Sequence, residues 1–166
     1  MRSTGQSSNH SAVRVLSAVP GNFASIAALD RSAWEENPCS EFIPDGAHVW
    51  RIWCEHALTF VAMAEAQKVT GAVVAFPCLN GCFCVQKVMV EKSHRGKGIG
   101  SHLFEALFES LDRREAECFL TVDPANSNAV WLYRKWGFSH ERFVPRFYRL
   151  NEDRLVLTRR SQASTL

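Results

Sequence analysis

The stretch His94-Arg95-Gly96-Lys97-Gly98-Ile99-Gly100-Ser101 separates two segments with different patterns. The apolar run at residues 85–90 before it predicts a buried strand, and after it Leu103, Leu107 and Leu111 have the spacing of an amphipathic helix. A glycine-rich turn between a strand and a helix leaves backbone N–H groups unpaired where the helix dipole is positive. The stretch therefore predicts a site for phosphate oxygens, which can come close to glycine because it has no Cβ.

Two other phosphate-binding loops fit this spacing less well. A Walker A loop ends in Gly-Lys-Ser/Thr, whereas the lysine of this loop is followed by another glycine. The dinucleotide fingerprint Gly-x-Gly-x-x-Gly fails at its third glycine, where Ser101 or Leu103 stands. The pattern that remains is Arg-x-x-Gly-x-Gly, formed by Arg95, Gly98 and Gly100. A nucleotide-binding domain stays open as an alternative.

A second motif follows further along the chain, with Asn126, Ala129, Tyr133 and Gly137-Phe138 as its fixed points. Together the two motifs resemble the signatures of the GCN5-related N-acetyltransferase superfamily, whose members bind acetyl-coenzyme A. The resemblance is strong over residues 86–138 and extends as a pattern of elements over residues 12–158. Within the superfamily, the C-terminal segment resembles the branch that acetylates protein N-termini, such as the N-terminal alanine of a ribosomal protein.

Length and composition fit one globular domain, since the chain has 166 residues, of which 46% are hydrophobic and 22% charged. The resemblance implies an α/β fold with a central mixed, mostly antiparallel sheet of about six or seven strands, flanked by about four helices. We predict this domain over residues 12–160, between flexible tails at 1–11 and 161–166.

Local signals predict several boundaries. Asn22 and Asp45 are suited to cap the first and second helices, and Gly137 is suited to end the last one. The final strands are predicted at residues 138–150 and 154–158, paired across a turn at 151 and 152.

The resemblance implies how acetyl-coenzyme A would bind. Backbone N–H groups of the glycine loop would hold the pyrophosphate without a metal, and the strand before the loop would splay from its neighbour and bind the pantetheine amides. Asn126 would contact the cofactor arm, although a plain helix cap also explains this residue. The cofactor-binding residues predicted in this way are Val88, Met89, Val90, Arg95, Gly96, Lys97, Gly98, Ile99, Gly100, Ser101 and Asn126.

The implied reaction is attack of a primary amine on the thioester through a tetrahedral intermediate. Tyr133 lies where the superfamily places the general acid, and a phenol with a pKa near 10 can protonate a thiolate whose own pKa is near 8.5. A packed helix aromatic is the alternative for this residue. The oxyanion would be bound by the backbone N–H of Met89 or Val90.

The sequence does not identify a general base. Relatives carry a glutamate at the position of Cys84 or Gln86 or, in the branch that acetylates N-termini, at that of Thr121, and none of these residues is a carboxylate here. A non-catalytic acyl-coenzyme A sensor or interaction domain therefore stays an alternative. Other candidates for the base are a chain of water molecules or Glu41, Asp45, His48 and Asp123.

The acceptor amine is expected to meet the segment after the first strand. An aromatic wall of tryptophans could receive it, although core or homodimer contacts are the alternative for these rings. Nearby acidic residues favour a cationic amine, and whether acyl groups other than acetyl are used stays open. The aromatic set is Trp34, Phe42, Trp50 and Trp53, and the acidic set is Glu35, Glu36, Glu41 and Asp45.

Several classes of protein are disfavoured. A net charge of +2 gives no electrostatic argument for nucleic-acid binding, and no run reaches the ~18–20 apolar residues of a membrane span. Cys78, Cys82 and Cys84 could suggest zinc, but no second Cys/His pair follows at ligand spacing. We therefore expect a cytoplasmic protein with reduced thiols and no metal.

Overall fold

The computed structural model describes residues 13–36 and 43–162 of the chain. Within them, seven strands and four α-helices form one α/β unit, as the sequence predicts. In chain order these elements are β1 (Arg14–Ser17), α1 (Phe23–Glu35), α2 (Ala47–His56), β2 (Leu58–Met63), β3 (Val69–Pro77), β4 (Phe83–Val90), α3 (Ile99–Asp112), β5 (Cys118–Val122), α4 (Ser127–Lys135), β6 (His140–Val144) and β7 (Arg154–Arg159).

The strands form one sheet in the order β1-β2-β3-β4-β5-β7-β6. All neighbouring strands are antiparallel except β4 and β5, which are parallel. The sheet is therefore mixed and mostly antiparallel, which confirms the prediction. Among the described residues, no helix has both the length and the apolar character needed to cross a bilayer.

The core consists of two clusters of buried side chains, which share the strands of the central sheet. In one cluster, the predicted stripe of α3, Leu103, Leu107 and Leu111, is fully buried. In the other, Ile26 of α1 and Trp50 of α2 pack with residues of β2, β3 and β4. Burial of these faces explains why the amphipathic segments fold as helices, because apolar surface is removed from water.

The last strand pair differs from the prediction. β6 ends at Val144, and residues 145–153 form a connection instead of continuing the strand. This connection has its own hydrogen bonds: the N–H of Phe147 donates to the carbonyl of Glu152, and that of Arg146 to the Asp153 carboxylate. Because these bonds satisfy backbone groups that a strand would pair with a neighbour, the predicted strand over residues 145–150 is wrong. The strands β6 and β7 pair with each other as predicted, but across this longer connection rather than across residues 151 and 152 alone.

Of the two predicted N-caps, one agrees with the structure in position. Asn22 is the N-cap residue of α1, although its side chain accepts a hydrogen bond from the N–H of Val19 and makes no cap bond to the helix. The prediction of Asp45 as an N-cap is wrong. The N-cap of α2 is Gly46, and the neighbouring Asp45 carboxylate binds a lysine of β4 instead. The end predicted at Gly137 agrees with the structure, where this residue has a φ of +89° just after α4. The predicted N-terminal tail and residues 163–166 of the C-terminal one lie outside the described residues.

Candidate active site

The glycine-rich turn connects β4 to α3 and has the geometry of an anion site. Gly96 and Gly98 have φ values of +74° and +77°, a region that favours glycine. Gly98 is the N-cap of α3, and no side chain caps this end of the helix. The N–H groups of Ile99, Gly100 and Ser101 lie in the first turn and so have no intrahelical acceptor. These donors point out of the positive end of the helix dipole.

A cavity of about 360 Å³, which we call the loop cavity, lies beside these N–H groups. A Cβ added to Gly100 would come no closer than 3.9 Å to another heavy atom, so packing alone does not require glycine there. Lys97 is exposed and does not line the cavity, unlike the other residues predicted from the loop and strand. Those lining residues are Val88, Met89, Val90, Arg95, Gly96, Gly98, Ile99, Gly100 and Ser101.

Arg95 ties the turn to two other elements. Its Nε donates a 2.9 Å hydrogen bond to the carbonyl of Val90, and its guanidinium donates at 2.7 Å to the carboxylate of Glu36 after α1. Half of the side chain remains exposed. Arg95 therefore shapes the turn as well as carrying charge beside the loop cavity.

The sheet opens between β4 and β5. These strands pair only at Phe83 with Cys118 and at Cys84 with Phe119. In β4 the register with β3 shifts so that Gln86 is an extra residue, which is the pattern of a β-bulge. Beyond the bulge, β4 and β5 separate, as the resemblance to the acetyltransferase superfamily implies.

Tyr133 of α4 reaches into this opening. It lines a cavity of about 200 Å³, the gap cavity, together with Val88 of β4 and Thr121 of β5. The rings of Phe104 and Phe138 make T-shaped contacts with its ring, with centroids 6.1 and 5.9 Å away. Burial raises the pKa of Tyr133 above its usual value, so the phenol stays protonated at neutral pH. No hydrogen bond to its hydroxyl is found among the described residues.

A larger cavity of about 900 Å³, the outer cavity, opens where β5 meets the 145–153 connection. It shares Val85, Gln86, Lys87 and Thr121 with the gap cavity, and the gap cavity shares Val88 and Phe104 with the loop cavity. The three cavities therefore adjoin one another along β4, with Tyr133 in the middle one.

A comparison of the sequence with protein families identifies the chain. The sequence model of the acetyltransferase (GNAT) family matches residues 23–138, which include the glycine loop, the opening between the strands and Tyr133. The chain belongs to this family.

Two sequence relatives are acetyltransferases by name. The uncharacterized N-acetyltransferase YobR of Bacillus subtilis is 35% identical over 82 residues, which are 49% of this chain and 33% of YobR. Streptothricin acetyltransferase of Streptomyces lavendulae is 31% identical over 83 residues, 49% of this chain and 44% of that protein. The chain therefore matches less than half the length of either relative.

The crystal structure of the ribosomal-protein-S18-alanine N-acetyltransferase from Escherichia coli has the same fold. It superposes with a TM-score of 0.75 at 16% identity, covering 92% of this chain and 96% of that one. At this identity the likeness concerns the fold alone.

In this GNAT protein, Asn126 is a helix cap. It is the N-cap residue of α4, and its side-chain oxygen accepts a 3.1 Å hydrogen bond from the N–H of Ala129. It lines the outer cavity and not the loop cavity.

The residues considered for a general base are dispersed. His48 is exposed and lines none of the three cavities, and Glu41 lies outside the described residues. Asp123 lines the outer cavity, where its carboxylate accepts a hydrogen bond from the N–H of Ala125. Asp45 also lines the outer cavity, but its carboxylate forms an ion pair with Lys87.

Sequence reasoning missed the network around Lys87. Its ammonium group lies 3.0 and 3.1 Å from the two oxygens of Asp30, and their side chains are 5% and 0% exposed. The Asp30 carboxylate also accepts hydrogen bonds from the indole of Trp50 and the N–H of Asp45. The available signal was a lysine within an apolar strand and an aspartate beside the apolar face of α1, because such charges are rarely buried without a partner.

The predicted aromatic wall is not part of the outer cavity, since none of the three tryptophans lines it. Trp50 is fully buried and belongs to the core, which was the alternative for this ring. Trp53 packs against it edge-on at 5.0 Å, and Trp34 is 40% exposed on α1. Phe42, the fourth member, lies outside the described residues.

The cysteines of the described segments are free thiols. Burial raises the pKa of Cys84 and Cys118 to about 12, so both thiols are protonated at neutral pH. Cys118 then acts as a small apolar residue of the core, while Cys84 lines the outer cavity.

Proposed function

We propose that this protein is an N-acetyltransferase that transfers an acetyl group from acetyl-coenzyme A to a primary amine, with Tyr133 as the general acid. One observation carries the proposal: the loop cavity, the gap cavity and the outer cavity adjoin in that order, and Tyr133 lines the middle one. A substrate with a diphosphate at one end and a reactive thioester at the other fits this order.

The loop cavity suits the diphosphate. The uncapped first turn of α3 supplies N–H donors, and glycines with positive φ bring the backbone close to the ligand. The free edge of β4 from Val88 to Val90 would bind the amides of the pantetheine arm, because β5 does not pair with it there.

The chemistry takes place in the gap cavity. The amine nitrogen attacks the carbonyl carbon of the thioester, and the C–S bond breaks as the intermediate collapses. Tyr133 donates its hydroxyl proton to the departing sulfur, which needs a protonated phenol, and burial keeps this phenol protonated at neutral pH. The backbone N–H of Met89 or Val90 would stabilise the oxyanion.

The outer cavity would receive the amine. Among the described residues, the carboxylates of Asp123 and Asp153 line this cavity and form no ion pair. Unpaired carboxylates attract a cationic group, so we infer a cationic amine as the acceptor class. The relative named streptothricin acetyltransferase favours a small-molecule amine, and a peptide amine is the alternative.

The proposal is tested by measuring thiol release from acetyl-coenzyme A with a panel of polyamines, aminoglycosides and peptides. We expect turnover with at least one cationic amine. Tyr133→Phe should lower kcat by about 10²–10⁴-fold, the contribution of a positioned acid, and leave the affinity for coenzyme A unchanged. Equal kcat values for wild type and variant would contradict the role of Tyr133.

A non-catalytic acyl-coenzyme A-binding domain is the second candidate. It is favoured by the absence of a carboxylate at Cys84, Gln86 and Thr121, all of which line the outer cavity. Tight binding of coenzyme A with no thiol release on any amine would support this candidate and overturn the enzyme.

A further inference from the structure

Thr121 occupies a junction in the site. It is half-buried on β5 and lines both the gap cavity, which contains Tyr133, and the outer cavity. An amine that enters from the outer cavity and attacks in the gap cavity must therefore pass this side chain. A hydroxyl at such a place can accept a proton from the amine if it can pass its own proton on.

The hydroxyl of Thr121 has a partner for this purpose. Its Oγ1 lies 2.9 Å from the phenol oxygen of Tyr148, which belongs to the 145–153 connection. Tyr148 is 55% exposed, so its hydroxyl can reach water in the outer cavity. The two hydroxyls thus connect the gap cavity to solvent by one hydrogen bond.

The ring of Tyr148 is held in place from two sides. The guanidinium of Arg154 lies 5.2 Å from its centroid, and the ring of Phe147 contacts it edge-on at 4.6 Å. Glu152 forms an ion pair with Arg154, which fixes the guanidinium in turn. Because these contacts already restrict the side chain of Tyr148, it loses less conformational entropy when it forms the hydrogen bond to Thr121.

We propose that Thr121 is a catalytic residue that takes the proton of the acceptor amine, and that Tyr148 is a positioning residue that carries this proton to water. The inference rests on the proposed acetyl transfer and supplies a proton path to water of the outer cavity in place of the general base that the sequence does not identify. The charged residues facing the pair across the outer cavity are Asp45, Lys87, Asp123, Arg149, Glu152, Asp153 and Arg154.

The transfer leaves both hydroxyls neutral. As the nitrogen bonds to the carbonyl carbon, its N–H bond breaks and the proton moves to Oγ1 of Thr121. The proton of Thr121 moves to the phenol oxygen of Tyr148, and the phenol proton moves to a water molecule of the outer cavity. One proton therefore leaves the amine and one arrives in solvent.

The test is steady-state kinetics of Thr121→Val and Tyr148→Phe with the best amine from the panel. Tyr148→Phe removes one oxygen atom and keeps the ring on Arg154. Each variant should lower kcat by about 10²-fold, which is the lower end of the rate contribution of a positioned proton-transfer group. The KM for the amine and the affinity for coenzyme A should stay within about threefold of wild type. Thr121→Ser keeps a hydroxyl and should retain most of the activity.

The double variant distinguishes a relay from two independent contacts. In a relay, Thr121→Val combined with Tyr148→Phe should be no slower than either single variant, because both remove the same path. Unchanged kcat, a change confined to KM, or effects that multiply would each overturn the relay. If the wild-type protein releases no thiol with any amine, the proposed acetyl transfer itself fails. If the wild type is active and the variants are equally active, only the relay fails.

Discussion

The proposed cofactor side and the proposed acceptor side of this protein are built in different ways. On the cofactor side, the glycine loop and the start of α3 offer backbone N–H groups, and residues 94–101 form about half of the lining of the loop cavity. On the acceptor side, Asp45, Lys87, Thr121 and Tyr148 come from four distant segments and meet around one cavity.

This difference affects what a substitution does. A backbone site depends on chain conformation at a few glycines, so changes there should act on ligand binding. A site assembled from side chains shares residues with the core, as Lys87 does through Asp30. Changes on the acceptor side should therefore affect folding as well.

The largest expected effect on stability is that of Lys87→Met. The substitution leaves the carboxylate of Asp30, which is fully buried, without its cation. We expect the free energy of unfolding to fall by about 3–5 kcal/mol, the usual cost of breaking a buried ion pair. Urea denaturation followed by circular dichroism measures this change.

Lys68→Met is the matched control for that experiment. Its ammonium pairs with Glu91 at 2.6 Å, but the lysine side chain is 59% exposed. Loss of an exposed pair should cost about 0–1 kcal/mol. If the free energy of unfolding fell by the same amount in both variants, the stability of the acceptor side would not depend on the buried network around Lys87.

Two glycines of the loop should respond differently to substitution by alanine, with smaller changes in stability than Lys87→Met. Gly98 has a φ of +77°, so Gly98→Ala should lower stability by about 1–2 kcal/mol through backbone strain. Gly100 lies in the helix, where a Cβ would make only an ordinary van der Waals contact with Val90 at 3.9 Å, so Gly100→Ala should not destabilise the fold. We expect Gly100→Ala to weaken coenzyme A binding about tenfold or more, because the new methyl group lines the loop cavity.

Thermal unfolding and calorimetric titration with coenzyme A check both glycine variants. The comparison fails if Gly100→Ala binds coenzyme A as wild type does. It also fails if Gly98→Ala is as stable as wild type, since the turn would then not need glycine at that position.

The sequence predicted what depends on short-range patterns. The leucine stripe of α3, the strand at β5 and the glycine loop all follow from spacing within one segment. The strand predicted over residues 145–150 belongs to the 145–153 connection in the structure, where hydrogen bonds pair residues across the loop, such as Phe147 with Glu152.

The acceptor side could not be predicted in the same way. The contact between Thr121 and Tyr148 joins residues 27 positions apart, and that between Asp30 and Lys87 joins residues 57 apart. No local signal pairs these residues, so the sequence predicts Asp45 as a helix cap and offers both the core and a substrate wall for Trp50. In the structure, Asp45 belongs to the network around Lys87, and Trp50 belongs to both that network and the core.

The most direct test of the central claim is a titration of the isotopically labelled protein with coenzyme A, followed by the backbone amide signals in NMR spectra. We propose that the N–H groups at residues 96–101 hold the diphosphate, so these amides should show the largest shifts on binding. Absence of binding, or largest shifts at residues 145–153 with the loop amides unmoved, would contradict the account.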